Sequence, residues 1–135
     1  MALRLATAVR NAMADAVTTR VDAGAGAGTI KIYTGSQPAT ANDAETGTLL
    51  ATFTLSDPSY GAASSGVITL AGTPKTVAAA ATGTAGWFRV EDSTGANVYD
   101  GAVGTSGAEL NLNTTALNSG VNVTITSGTF TMPAS

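Results

Sequence analysis

The sequence predicts a mainly β protein, an antiparallel β-sandwich or jelly roll of seven or eight short strands with one N-terminal α-helix. Three observations predict it. From Thr29 to Met132, short β-branched runs alternate in polarity and are separated by Gly, Pro, Ser and Asp turns. Before Ala23 the apolar residues recur at helical spacing instead. The 135 residues suffice for one domain and leave little room for a second. The chain therefore divides into a helix or arm at 1–23 and a β-sandwich domain at 24–135.

The helix is expected over roughly Leu3 to Val21. At 100° per residue, Leu5, Val9, Ala12, Met13, Ala16 and Val17 share one face. Arg4, Asn11, Asp15, Thr18 and Asp22 share the opposite one. The apolar stripe is mostly Ala and Val, so it buries little area, and a lone helix of this length is marginal in water. Two placements follow: the helix packs on its own domain, or it docks on a neighbouring subunit through Leu5, Val9, Met13 and Val17. Asn11 and Asp15 interrupt the apolar centre that a signal peptide needs, so the segment reads as part of the working protein. The alternating glycines from Ala23 to Gly28 end the helix in a turn or flexible joint.

The strands follow in order. Thr29–Thr34 is β-branched and is closed by Gly35-Ser36-Gln37-Pro38. Thr48–Leu55 places Leu49, Ala51, Phe53 and Leu55 on one face. Val67–Ala71 is brief, and Lys75–Ala81 reads equally as an edge strand or an Ala-rich loop. Gly86–Asp92 is the clearest strand, and one of Trp87 and Phe88 anchors the core. The turn Ser93–Ala96 leads into Asn97–Asp100 as a hairpin. Glu109–Asn113 sets Leu110 and Leu112 together. On the last strand Val121, Val123 and Ile125 are odd-numbered, whereas Phe130 and Met132 are even. A β-bulge near Ser127–Gly128 accounts for the change of phase. Phe53, Leu55, Val90, Leu110, Leu112, Val123 and Ile125 are expected inside.

Composition narrows the function. Ala, Thr and Gly occupy 26, 23 and 16 positions, and charged residues are 11% of the chain, against about 25% in ordinary domains. There is no His and no Cys, which removes His acid–base chemistry, Cys nucleophiles, disulfides and Cys/His zinc sites. The net charge of −3 argues against a nucleic-acid partner. No run approaches the ~18 apolar residues of a membrane span. Gly24–Gly28 and Gly83–Gly86 lack the Lys-Ser/Thr of a phosphate loop. Asp92 and Asp100 flank the hairpin and read as solvated charges rather than a catalytic pair. Lys31 and Lys75 lie in no motif that pairs them with a Ser nucleophile. No catalytic residue, cofactor or metal site is expected.

Four segments carry a resemblance: GTIKIYTGSQPA at 28–39, GTLLA at 47–51, ATGTAGWFRV at 81–90 and LNLNTT at 110–115. With them the chain resembles, over nearly its whole length, a family of small structural proteins of tailed phages. The matching residues belong to strands and turns, and no functional residue carries over. The resemblance implies a head decoration (cement) protein on the outer capsid surface of the virion. Its partners would be the major capsid protein and itself, as a dimer or trimer. The alternative is a tail- or fibre-associated virion module that binds a host-surface glycan.

Overall fold

The computed structural model describes residues 3–133. The outermost positions of the two expected segments, 1–2 and 134–135, lie outside the described residues. Helix α1 spans Thr7–Val21. Nine strands follow: β1 Thr29–Thr34, β2 Leu49–Thr54, β3 Val67–Thr69, β4 Lys75–Ala78, β5 Gly83–Glu91, β6 Asn97–Gly104, β7 Leu110–Leu112, β8 Ala116–Leu117 and β9 Asn122–Thr131. The protein is mainly β with one N-terminal helix, as its sequence predicts.

The arrangement departs from two separate antiparallel layers. The strands form one curled sheet in the order β2-β1-β5-β6-β7-β9-β3, with β4 also on β9 and β8 also on β5. The sheet is mixed, because β6 and β7 run parallel through Val103↔Leu110 and Gly104↔Asn111. The five residues from Thr105 to Glu109 make that connection without a helix. The curl brings its ends together: the amide of Ala80, just after β4, donates to the carbonyl of Leu50 on β2 at 2.7 Å. Alternation and turn spacing read the strands individually, and neither encodes which distant strand becomes a neighbour.

The core lies inside the curl. Ile30, Ile32, Phe53, Phe88, Val90, Leu110, Leu112, Val123 and Ile125 are buried there with Leu50, Ile68 and Leu70. All seven residues expected inside are buried. Each large apolar side chain contributes about 1.5–3 kcal/mol on burial. That contribution is concentrated in a few positions because so much of the chain is Ala, Thr and Gly.

Bulges set which residues reach this core. On β2, Ile32 faces Ala51 but Tyr33 faces Leu49, so Leu50 is the extra residue. Leu50 is buried, and Leu49, expected inward, is 38% exposed. On β9, Leu112 faces Ile125 but Asn111 faces Ser127, so the phase change inferred from the sequence falls at Thr126. On β5, Gly86 is extra opposite β1. A Cβ there would lie 2.0 Å from the Gly35 carbonyl oxygen, which admits only glycine.

Strand ends differ from expectation where the sequence is small and unpatterned. β5 starts at Gly83 because Gly83 and Thr84 pair with β8, a two-residue strand that no alternation announces. β6 continues to Gly104 because β7 pairs with its far end. Lys75–Ala78 is a strand along β9. The helix begins at Thr7 rather than Leu3: Ala6 is extended at φ −64° and ψ 150° and supplies no side-chain cap.

Gly101 on β6 faces Phe88 across the pair Phe88↔Gly101. A Cβ at Gly101 would stand 2.5 Å from the Phe88 ring. Gly101→Ala is expected to lower stability by about 1–3 kcal/mol through overpacking. Phe88→Leu in the same chain should make the Gly101→Ala step cheaper. Urea denaturation of the four members of that double-mutant cycle measures the coupling.

Candidate interaction surface

The helix is held to its own domain by its polar side. The Arg10 guanidinium donates to the Met132 carbonyl from Nε at 3.2 Å and Nη2 at 3.0 Å. Asn11 Oδ1 accepts from the Gly66 amide at 2.7 Å, and Asp15 Oδ1 from the Ala63 amide at 2.9 Å. The Asp22 carboxylate accepts from the Ser59 amide at 3.0 and 3.3 Å. The loop from Ser59 to Gly66 thus presents main-chain N–H groups, and a short acid or amide on the helix is what satisfies them. Between these anchors Ala14 and Val21 are fully buried.

The residues opposite the apolar stripe, Asn11, Asp15 and Asp22, are the ones that dock the helix on its own domain. Helical geometry then turns Val9, Ala12, Met13 and Ala16 outward, roughly 100–160° from Ala14. Val9 is 46% exposed and Met13 40%, with Ala12 and Ala16 exposed beside them. Leu5 and Val17 are half-buried at the border. Of the four candidate contacts, Val9 and Met13 are displayed on the helix, Val17 packs against the core, and Leu5 precedes the helix.

Two further contacts fix the loop under the helix. The Tyr60 hydroxyl bonds that of Tyr99 on β6. The Tyr99 ring meets Phe88 edge-on at 5.8 Å and Phe130 at 5.1 Å. Burial pushes the Tyr60 phenol up to about 12, against a smaller opposing effect of the Tyr99 bond. Burial also raises Tyr99 well above the ordinary phenol range.

A second cluster occupies the opposite face of β1, β5 and β6, where sequence reading placed no site. Trp87, Arg89 and Glu91 alternate on the face of β5 away from the core. Arg89 is fully buried and grips Asp100 on β6 from Nε to Oδ1 at 2.7 Å and from Nη2 to Oδ2 at 3.0 Å. This bond, more than the burial that opposes it, holds the guanidinium's affinity for its proton above the ordinary value. Glu45 reaches Arg89 Nη1 at 3.5 Å, and the Ala41 carbonyl accepts from Asn97 Nδ2 at 3.0 Å. The segment 35–48 therefore crosses this face. Trp87 stacks on Tyr33 at 4.7 Å, and the Arg89 guanidinium lies 5.2 Å from the indole centre. Burial, followed by the charges of Glu45 and Glu91, pushes the Tyr33 phenol up to about 12. Trp87 and Phe88 are both buried, one on each side of β5. The signal available in the sequence was Arg and Glu at alternate positions from the single Trp.

The remaining polar candidates have structural partners. Asp92 Oδ1 accepts from the Thr94 amide, the Thr94 hydroxyl and the Ala96 amide, which closes the hairpin turn. The Thr94 hydroxyl bond is the main reason its carboxyl lies below the usual range. Asp92 and Asp100 therefore serve separate partners. Lys31 pairs with Glu91 at 3.2 Å. Lys75 Nζ does meet a serine, donating to Ser56 Oγ at 3.0 Å; an ammonium donating to the hydroxyl anchors a turn and does not activate a nucleophile. Among the described residues no group of three acidic side chains is placed to hold a metal ion.

Asp100→Ala strands the Arg89 guanidinium without its buried partner. A loss of about 3–5 kcal/mol is expected in chemical denaturation. High pH acts on the tyrosines. Their folded-state phenols titrate above the unfolded value of about 10, so the native state holds its protons longer. That contribution to stability is fully present below pH ~10 and is lost as pH rises towards about 12. Near-ultraviolet titration should show Tyr33 and Tyr60 ionising near 12, and Tyr60→Phe should remove one of these late steps.

Compared with protein-family models, curated proteins and solved structures, the chain matches none of them.

Proposed function

We propose that the protein is a non-enzymatic structural component of a virion, a head decoration (cement) protein that binds the major capsid protein lattice on the outer capsid surface. The observation that carries the reading is the helix held to its domain by polar anchors with Val9 and Met13 turned outward. A rigidly mounted apolar stripe suits a protein–protein contact, because little is left to order on binding. The surface suits one as well: with 11% charged residues and abundant Ala and Thr, few long side chains are immobilised when it is covered. A lattice repeats the same patch many times, so a closed oligomer gains avidity from individually weak contacts. The helix is the element that meets the capsid, and the curled sheet is the scaffold that carries it.

The test is a Val9→Asp, Met13→Asp variant. Both positions are exposed, so its folding stability should change by no more than about 0.5 kcal/mol per site. Heads assembled with it should carry far fewer copies than heads with the unaltered protein, counted by mass spectrometry against the major capsid protein. Full copy number of the folded variant would remove the helix from the binding account. Recovery of the unaltered protein with tails, together with binding on a glycan array, would replace the head assignment with the tail or fibre module.

A further inference from the structure

β7 is too short to fill the space between its neighbours. It begins at Leu110, pairing with β6 only at Val103 and Gly104. On the other side it meets β9 from Ile125 to Gly128, and the Glu109 carbonyl accepts from the Thr129 amide. Beyond Glu109 no described strand lies between the first half of β6 and the end of β9. A cavity of about 350 Å³ opens there, lined by Tyr99, Asp100, Glu109, Thr129, Phe130 and Thr131.

The slot has two unlike sides. On β9 the main-chain groups of Gly128 and Met132 are spent on the β3 side, where the Gly128 carbonyl takes the Leu70 amide and the Met132 amide reaches Gly66. Alternation turns the groups of Thr129 and Thr131 towards the slot, and Thr131 there presents an open strand edge. The floor is apolar: the rings of Tyr99 and Phe130 meet across the gap at 5.1 Å and pack on the core. The rim carries Thr129, Thr131 and the carboxylate of Glu109, which makes no ion pair among the described residues. An open edge, an apolar floor and an acidic rim fit an extended segment that is apolar at alternate positions and basic between them.

The chain carries such a segment. Leu3, Arg4, Leu5 and Ala6 precede the helix, and Ala6 is extended. Leu3 is 80% exposed, and Arg4 is exposed with no ion pair among the described residues. Leu3 and Leu5 project to one side of a strand and Arg4 to the other. Arg10 is tied to the Met132 carbonyl beside the end of β9, Leu3, Arg4 and Ala6 are exposed and Leu5 is half-buried, and none of residues 3–6 lines the slot of its own chain.

We infer that two copies of this chain associate by exchanging their N-terminal segments, residues 3–6 of each entering the slot between β6 and β9 of the other. Leu5 sits on the Tyr99–Phe130 floor, the backbone pairs with the edge at Thr131, and Arg4 meets Glu109. The contact is isologous, each copy giving and receiving the same strand. It does not depend on the virion reading, since it concerns the free protein.

The native absence of cysteine makes the test direct. Arg4→Cys and Glu109→Cys chains, distinguishable by mass, are mixed and oxidised. The expected product is the mixed disulfide joining one chain of each kind. Only like-with-like disulfides, or none, would overturn the inference, as would closure within a single chain in the variant carrying both cysteines. A second measurement uses charge. Arg4→Glu and Glu109→Lys, each with an unchanged circular dichroism spectrum, should weaken self-association about tenfold in sedimentation equilibrium, and the two together should restore it. A monomeric unaltered protein, or a dimer indifferent to both reversals but lost in Val9→Asp, Met13→Asp, would sink the exchange.

Discussion

The Arg89–Asp100 pair joins β5 to β6 on the side of the sheet away from the core. It does so where neither charge meets water, so each depends on the other. Its placement makes β5 a strand buried on both faces, with Phe88 and Val90 inside the curl and Trp87 and Arg89 beneath the segment 35–48. β5 also pairs along its length with β1, β6 and β8. A chain with few large apolar residues cannot fill two layers, and here one strand organises both: an aliphatic core on one side and an aromatic–ionic stack on the other.

The same shortage explains how the helix is attached. A stripe of Ala and Val offers little area to bury, and the docked face takes only Val17 from it, beside Ala14 and Val21. Specificity comes from hydrogen bonds between Arg10, Asn11, Asp15 and Asp22 and main-chain groups of the domain, which would be left unsatisfied if the helix rotated. One rotation about the helix axis therefore both satisfies the 59–66 loop and turns Val9 and Met13 outward. The fold and the candidate contact surface are two results of one constraint. Tyr60 extends it inward, since its bond to Tyr99 ties the loop under the helix to the strand that lines the slot.

Much of the strand content was legible because period-2 alternation is a local property. Phe53, Leu55, Leu110 and Leu112 are inward as their spacing requires. The change of phase on β9 was legible too, because a bulge must leave the apolar residues out of step with one another. Leu49 was misread and Leu50 took its place, since two adjacent leucines leave the bulge position open until β1 supplies its register. Arg89 was missed as a buried charge because its partner lies on another strand.

By itself the sequence determined a β-rich chain with an N-terminal helix, the main strand positions and seven of the core residues. These rest on side-chain periodicity and turn chemistry, which act over a few residues. Only the tertiary structure decided that the sheet is single, curled and mixed, that β6 and β7 run parallel, that β8 exists, and which way the helix faces. Those outcomes depend on which distant main-chain groups find partners. The amides of Ser59, Ala63 and Gly66 look like any others in the sequence, and their demand for acceptors, rather than the apolar stripe, set the orientation of the helix.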